Sequence, residues 1–390
     1  MSQLDNVRYT RAEIDIDALR QNMRAIRRAV PKDVLISAVI KADGYGHGAA
    51  EIAGVLLDYG ADCLAVAIIE EGIELRKAGI TAPIMILGHT SFLRAYEVVQ
   101  YDLDPCVYRL EDAQRFSNEA VRQKKHVKVH IKINSGMNRI GYSPCPDAEE
   151  EICRIARLPN IVMEGIFTHF CSSDTSDRTF TILQAERFER FYSLLERRGI
   201  SFRLKHCCNS AAIINYPEYY FDMVRVGIQL YGLKPSAEML TDGIACKPAM
   251  SLKTRIVQIR QIRSGESVGY GRAYTATSQK TVATLPIGYA DGYSRLLSGK
   301  AEVLIHGHRA KVIGNICMDM CMVDVSSIEN ASIGDEVVLF GNQDGVVLPV
   351  DELAAISGTI NYEIVCGIGR RVPRVYIDNG KVLKIKNYLI

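Results

Sequence analysis

The chain has 390 residues, 48% hydrophobic and 24% charged, with a formal net charge of +2. That length exceeds what one hydrophobic core usually organises and predicts two domains, while the ordinary composition excludes a disordered or fibrous chain. The charges are balanced and dispersed, which leaves no electrostatic footprint for nucleic acid or a membrane surface.

The opening stretch, MSQLDNVRYTRAEIDID, has no apolar signal region, and no later segment approaches the roughly 18 uninterrupted apolar residues of a membrane span. A cytoplasmic protein is expected. Eleven cysteines without a CxxC pair, with Cys207 and Cys208 adjacent, fit reduced thiols better than a disulfide framework. The eight histidines form no HExxH or Cys/His spacing, so no metal is expected.

In chain order, DIDALRQNMRAIRRAV reads as a helix ahead of the first strand. Eight short apolar runs then follow: VLISAVIK, CLAVAI, PIMILG, DPCVYR, VKVHIKIN, VMEGIFTH, FRLKHCCNS and VRVGIQLYG. Longer stretches of helical period separate them, among them GAAEIAGVLLDYG, LEDAQRFSNEAVRQ and LQAERFERFYSLLERRG. Eight strands alternating with helices predict an α/β fold, a parallel TIM-like (β/α)8 barrel over residues 9–240. The helix missing after the last strand is expected from the one that precedes the first. Beyond residue 240 the runs MSLKTRIVQIRQI, ESVGYGRAYTA, TVATLPIG, AEVLIHG, RAKVIG, MCMVDVS and DEVVLFG, punctuated by Gly, Ser and Asp, predict a C-terminal β-rich domain over 241–390. Residues 1–8 are expected to pack on it. HGH at His306 to His308 reads as the turn of a hairpin.

In such a barrel the chemistry lies at the C-terminal strand ends. The first run ends in Lys41, the fifth leads to Arg139, and the sixth ends in Thr168 and His169. The seventh ends in Asn209 and Ser210, and the eighth carries Arg225 next to Gly227. Singly, each has a plain reading: a solvated lysine cap, a satisfied interior histidine, a glycine turn at Gly44, Gly46 and Gly48. Convergence on one rim favours another reading, because a solvated cap needs no arginine, serine and histidine beside it. A buried lysine can condense with an aldehyde, and Ser210 with the amides near Gly227 can accept a phosphate, which together suit pyridoxal 5'-phosphate. Arg225 can then reach the pyridine nitrogen.

Motifs in order through both halves carry a resemblance: AVIKADGYGHG, KINSGMNRIGY, THF followed by SSD, CNSAA, VRVGIQLYG, VGYGRAYTA, PIGYADGYSR, GNICMDM and NYEIVCGIGRRVPRVY. From about residue 9 to 376 the chain resembles the pyridoxal-phosphate-dependent alanine racemases of fold type III. The resemblance implies an isomerase acting on alanine, a homodimer with shared active sites, and D-alanine supply for cell-wall peptidoglycan. It implies that Lys41 carries the cofactor as an imine and is one base, with Tyr270 as the second base from the other subunit. Tyr45, Ser210, Gly227, Ile228 and Tyr362 match cofactor-phosphate contacts, with Asn209 beside them. Arg225 matches the arginine at the pyridine nitrogen and His169 its hydrogen-bonding neighbour. Arg139 matches the arginine near the cofactor's phenolic oxygen and the substrate carboxylate. Met318 matches a backbone amide for that carboxylate, and Tyr289 lies in the access corridor. Lys132 stands where many members have a carbamylated lysine (N6-carboxylysine); an ordinary ion pair would also explain a lysine in that apolar strand.

Where the family often has DTGM, RPG and GRVCMDQ, this chain has Asn134 and Ser135, then Val226, then Asn315, Ile316 and Met320. No catalytic group is lost. Two bases on opposite faces suffice for racemisation, with Lys41 on the D-alanine face and Tyr270 on the L-alanine face. Three rivals remain. An amino-acid decarboxylase on the same plan usually presents an acid to the pyridine nitrogen, and a cofactor carrier needs neither Tyr270 nor Met318. A serine or broader-specificity racemase is the harder alternative, since an apolar pocket rejects one extra hydroxyl only about a hundredfold.

Overall fold

A computed structural model describes residues 7–236, 238–239 and 244–390. The described residues divide into two compact units, Leu19–Lys247 and the residues up to Ala18 taken with Pro248–Ile390. The strand β1 (Arg11–Asp15), absent from the sequence reading, explains why the first unit starts later than residue 9. It pairs antiparallel with Met250–Arg255 and parallel with Arg374–Asp378. A five-residue alternation is too short to separate from a loop by periodicity.

Helix α1 (Ile16–Ala29) follows directly, with Leu19, Met23 and Ile26 buried. The eight expected barrel strands all form: β2 (Leu35–Val39), β3 (Cys63–Val66), β4 (Ile84–Ile86), β5 (Asp104–Val107), β6 (Val127–Lys132), β7 (Ile161–Phe167), β8 (Leu204–His206) and β9 (Met223–Val226). All the pairings are parallel, in the order β8-β7-β6-β5-β4-β3-β2-β9. Two bonds bridge the remaining gap between β8 and β9, Asp222 N to Lys205 O and Arg225 N to Cys208 O, each 3.0 Å. A nearly closed barrel results, in which the inward residues share one packed interior. The interior is polar at one point. Gly165 on β7 lacks a side chain where a Cβ would stand 2.2 Å from the His130 ring, so glycine makes the room that this histidine occupies.

Among the described residues between β9 and Met250 there is no α-helix, only the 3-10 turn Ile228–Tyr231. Helix α1 packs there instead, as expected: buried Asn22 donates to Leu230 O (3.0 Å) and Lys247 O (2.9 Å) and accepts from Lys247 N (2.7 Å). In the other unit the large mixed sheet runs from Gln258–Ile262 at one edge to Lys381–Lys386 at the other. Glu302–Ile305 and His308–Ile313 form the expected hairpin, with His306 and Gly307 both at positive φ in its turn. ESVGYGRAYTA is not one strand but a small hairpin, Ser267–Val268 against Tyr274–Thr275, because its two glycines take positive φ between them. Among the described residues no helix is long and apolar enough to cross a membrane, and no His/Cys/Asp/Glu group has metal-binding geometry.

Candidate active site

The barrel's C-terminal rim is built from the loops after β2, β6, β7, β8 and β9. Lys41, half-buried, stands two residues beyond the end of β2. The four residues after it, Ala42 to Tyr45, are all at positive φ, so the KADGY motif forms one left-handed turn. Bonds from Gly44 N to Ile40 O (2.8 Å) and Gly46 N to Ala42 O (2.9 Å) close it, and Asp43 Oδ1 accepts from Ala49 N (2.9 Å). The turn buries Tyr45, whose ring lies 4.9 Å from that of Tyr231.

Tyr45, Ser210, Gly227 and Ile228 converge on one spot. Gly227 N donates to Ser210 Oγ at 2.8 Å, and a Cβ on Gly227 would come within 2.8 Å of the Tyr45 hydroxyl. Only glycine allows that close approach. Asn209 caps the short helix Ser210–Asn215 by accepting from Ala212 N at 2.9 Å, and the same oxygen accepts from Ser173 Oγ at 2.9 Å. Its side chain is thus engaged in presenting Ser210.

Arg225 is buried on β9, and its guanidinium is spent on the protein at both ends. One end donates to His206 Nδ1 (2.7 Å), the other to Thr168 O (2.9 Å), Cys207 O (2.9 Å) and His169 Nδ1 (3.3 Å). Because Arg225 is a donor only, His206 Nδ1 must be the acceptor. Its proton then sits on Nε2, facing His130 Nδ1 at 3.2 Å. Sequence reasoning missed His206 and His130. Their strands look like ordinary apolar runs, and only barrel closure stacks them beside Arg225. Burial, reinforced by Arg225, holds both His169 and His206 well below the usual histidine range, so both rings are neutral.

Lys132, on β6, is buried with its Nζ 4.4 Å from the Phe167 ring centre, and Arg225 stands 5.4 Å from the same ring. Burial, followed by Arg225, pushes its ammonium down to about 7. It forms no ion pair with a carboxylate among the described residues. Arg139 is exposed in the loop beyond β6, and its positive charge is felt by both Lys132 and His169. Asn134 shapes that loop by accepting from Gly136 N (3.2 Å) and Asn138 N (2.9 Å), and Ser135 Oγ pairs with Thr168 Oγ1 at 2.7 Å. The two departures from the common DTGM pattern therefore have local partners. The rim carries Lys41, Lys132, Arg139 and Arg225, while the carboxylates of Asp43 and Glu71 are engaged by backbone amides, a setting suited to an anionic ligand.

The remaining expected residues lie in the other unit. Tyr270, 74% exposed, begins the turn of the small hairpin, and Asn315 Nδ2 donates to its carbonyl at 2.9 Å. Tyr270 and Met318 line one groove of about 670 Å³ whose walls include Ile262, Val268, Val282 and Met322. Tyr289 is stitched to the Met318 loop through Tyr289 N to Cys317 O (3.1 Å) and Ala290 N to Met318 O (3.0 Å). Arg8 holds that turn from the N-terminus, donating to both carboxylate oxygens of fully buried Asp291 at 2.6 and 2.9 Å. Tyr362 lies on the helix Asn361–Cys366.

Two family models match the chain, alanine racemase N-terminal domain over residues 14–235 and alanine racemase C-terminal domain over 249–376. Alanine racemase 1 of Clostridium acetobutylicum is 46% identical over 385 residues, 98% of this chain and 99% of its own. The alanine racemase of Clostridium perfringens is 48% identical over 383 residues, again 98% and 99%. Among solved structures, that of alanine racemase from Clostridium difficile 630 matches with a TM-score of 0.96 at 41% identity, over 99% of this chain and all of that one. The alanine racemase of Bacillus anthracis with bound L-Ala-P matches with a TM-score of 0.93 at 35% identity, over 98% of each. Full-length identity at this level, across both domains, means that the chain belongs to the alanine racemase family.

Proposed function

We propose that the chain interconverts L-alanine and D-alanine by a two-base mechanism that uses pyridoxal 5'-phosphate, and that it supplies D-alanine for cell-wall peptidoglycan. The observation that carries this reading is the rim itself: Lys41 on its left-handed turn, the close approach of the Tyr45 and Ser210 hydroxyls that Gly227 permits, and buried Arg225 beside neutral His169. The cofactor fits the residues present. Ser210 Oγ, the Tyr45 hydroxyl and the amides of Gly227 and Ile228 are suitable donors for its phosphate, and Lys41 for its aldehyde. Arg225 Nε, which makes no hydrogen bond among the described residues, remains to face the ring nitrogen. When bound, the cofactor draws electron density from the substrate Cα and acidifies its proton.

The protein's own groups do the rest. Arg139 supplies a cation to the substrate carboxylate, and the Met318 amide, from a second copy, adds a donor. Lys41 Nζ moves the α-proton on the D-alanine face and Tyr270 Oη, from the second copy, on the L-alanine face. Buried Arg225, still charged near neutrality, would oppose protonation of the cofactor's ring nitrogen, which would limit electron withdrawal and disfavour side reactions. With its ammonium pushed down to about 7, Lys132 has a substantial uncharged fraction near neutrality to take up carbon dioxide, since only an uncharged amine does so, and the resulting carbamate would pair with Arg139.

L-Alanine incubated with the holoenzyme in deuterium oxide should gain α-deuterium and yield D-alanine at comparable rates. Deuterium uptake without D-alanine would mean that one face alone works; neither product would sink the racemase reading. For Lys132, carbon-labelled bicarbonate should give a carbamate resonance by NMR that disappears in Lys132→Arg. A spectrum without that resonance in the parent enzyme removes the modification.

A further inference from the structure

The turn after Lys41 is strained. Ala42, Asp43, Gly44 and Tyr45 have φ of 52°, 52°, 63° and 52°. In the left-handed region each non-glycine residue costs on the order of 1 kcal/mol. Backbone bonds within the turn close it. A further bond comes from a neighbouring strand's loop: Glu71 Oε1 accepts from Ala42 N at 2.6 Å, while its Oε2 accepts from Ala67 N at 2.7 Å and Ile68 N at 3.2 Å. One carboxylate therefore ties the peptide next to Lys41 to the loop after β3. Glu71 is also the third residue of the helix Ile69–Lys77, where it satisfies the N-terminal amide of Ile68. Helix capping needs only that one oxygen. The bond to Ala42 is the part that capping does not explain.

We propose that Glu71 is a positioning residue for Lys41, holding the strained turn so that Nζ stands in line with the α-proton on the D-alanine face. This rests on Lys41 being the base for that face. The carboxylate matters because both oxygens accept. A glutamine here keeps the cap, since its single oxygen serves Ala67 and Ile68, but turns an NH2 group toward the Ala42 N–H. The turn next to Lys41 loses this bond while the helix keeps its cap.

Glu71→Gln separates the two roles. Turnover should fall roughly tenfold, in line with the cost of a misplaced catalytic group. With α-deuterated substrates the isotope effect from D-alanine should rise and that from L-alanine should fall, because only the Lys41 step has slowed. Apoprotein of the variant should take up pyridoxal phosphate covalently more slowly, while binding pyridoxine phosphate, which has no aldehyde, as the parent does. Isotope effects equal to the parent's in both directions would overturn the proposal, as would an equal loss of pyridoxine phosphate binding. If Glu71→Gln does not fold, Glu71→Asp is measured instead: its shorter carboxylate reaches one side of the bridge only, and the same asymmetry is expected. A parent enzyme that fails to racemise alanine would instead bring down the underlying reading.

Discussion

Gly227 shows how one residue without a side chain shapes the rim. Its neighbours Tyr45 and Ser210 already occupy the positions that a Cβ would crowd, with 2.8 Å to the Tyr45 hydroxyl. Gly227→Ala should therefore weaken pyridoxal phosphate uptake about tenfold or more, as overpacking costs about 1–3 kcal/mol. Equilibrium dialysis of the apoprotein reads this directly, and unchanged affinity would mean that the phosphate sits elsewhere. Arg225 makes the complementary point. Its bonds to His206, Thr168 O and Cys207 O fix the guanidinium before any ligand arrives, so the charge needs no reorganisation on binding.

At the scale of elements, the barrel divides its labour between its two ends. The C-terminal rim carries the loops just described, while the N-terminal end holds Asp104 at the start of β5. Burial, with Asp102 and Glu164 nearby, pushes this carboxyl up to about 7 against the pull of Lys128 and Arg76. The unfolded chain releases that proton near pH 4. Between those values the folded state binds more protons than the unfolded, so this group's contribution to stability falls as pH rises and is fully lost above about 7. Asp104→Asn should accordingly be more stable than the parent at pH about 8, by about 1–3 kcal/mol, and match it near pH about 4. Urea unfolding at the two pH values tests this, and an equal effect at both would refute the account.

For the whole molecule the question is what covers the groove around Tyr270. Tyr270 is 74% and Met318 52% exposed beside Val268, Val282 and Met322, an apolar surface that a second copy is proposed to bury. Each site would then combine one chain's Lys41 with the other's Tyr270. Mixing inactive Lys41→Ala with inactive Tyr270→Phe under subunit exchange should restore about one quarter of parental activity: half of the dimers are mixed, and each has one intact site. No recovery, with exchange verified, would put both bases on one chain.

Much of this was legible from residues in order. The alternation of eight β-branched runs with helical stretches identified the barrel, because strand and helix periods differ and each run was bounded by turn residues. Strand-end lysine, arginine, serine and glycine marked the rim, since polar side chains at those positions have few structural reasons to gather. The short strand β1 and the break in ESVGYGRAYTA were not legible, because pairing partners hundreds of residues away and positive φ at glycine decide them. The sequence by itself determined the elements, the family and the chemical types at the site. Only the tertiary structure decided which groups share a proton or a carboxylate: the line from Arg225 through His206 to His130, a buried Lys132 with no carboxylate ion pair among the described residues, and the reach of Glu71 to Ala42. Those features arise between elements far apart in sequence, and their strength depends on distance and burial, which no linear pattern records.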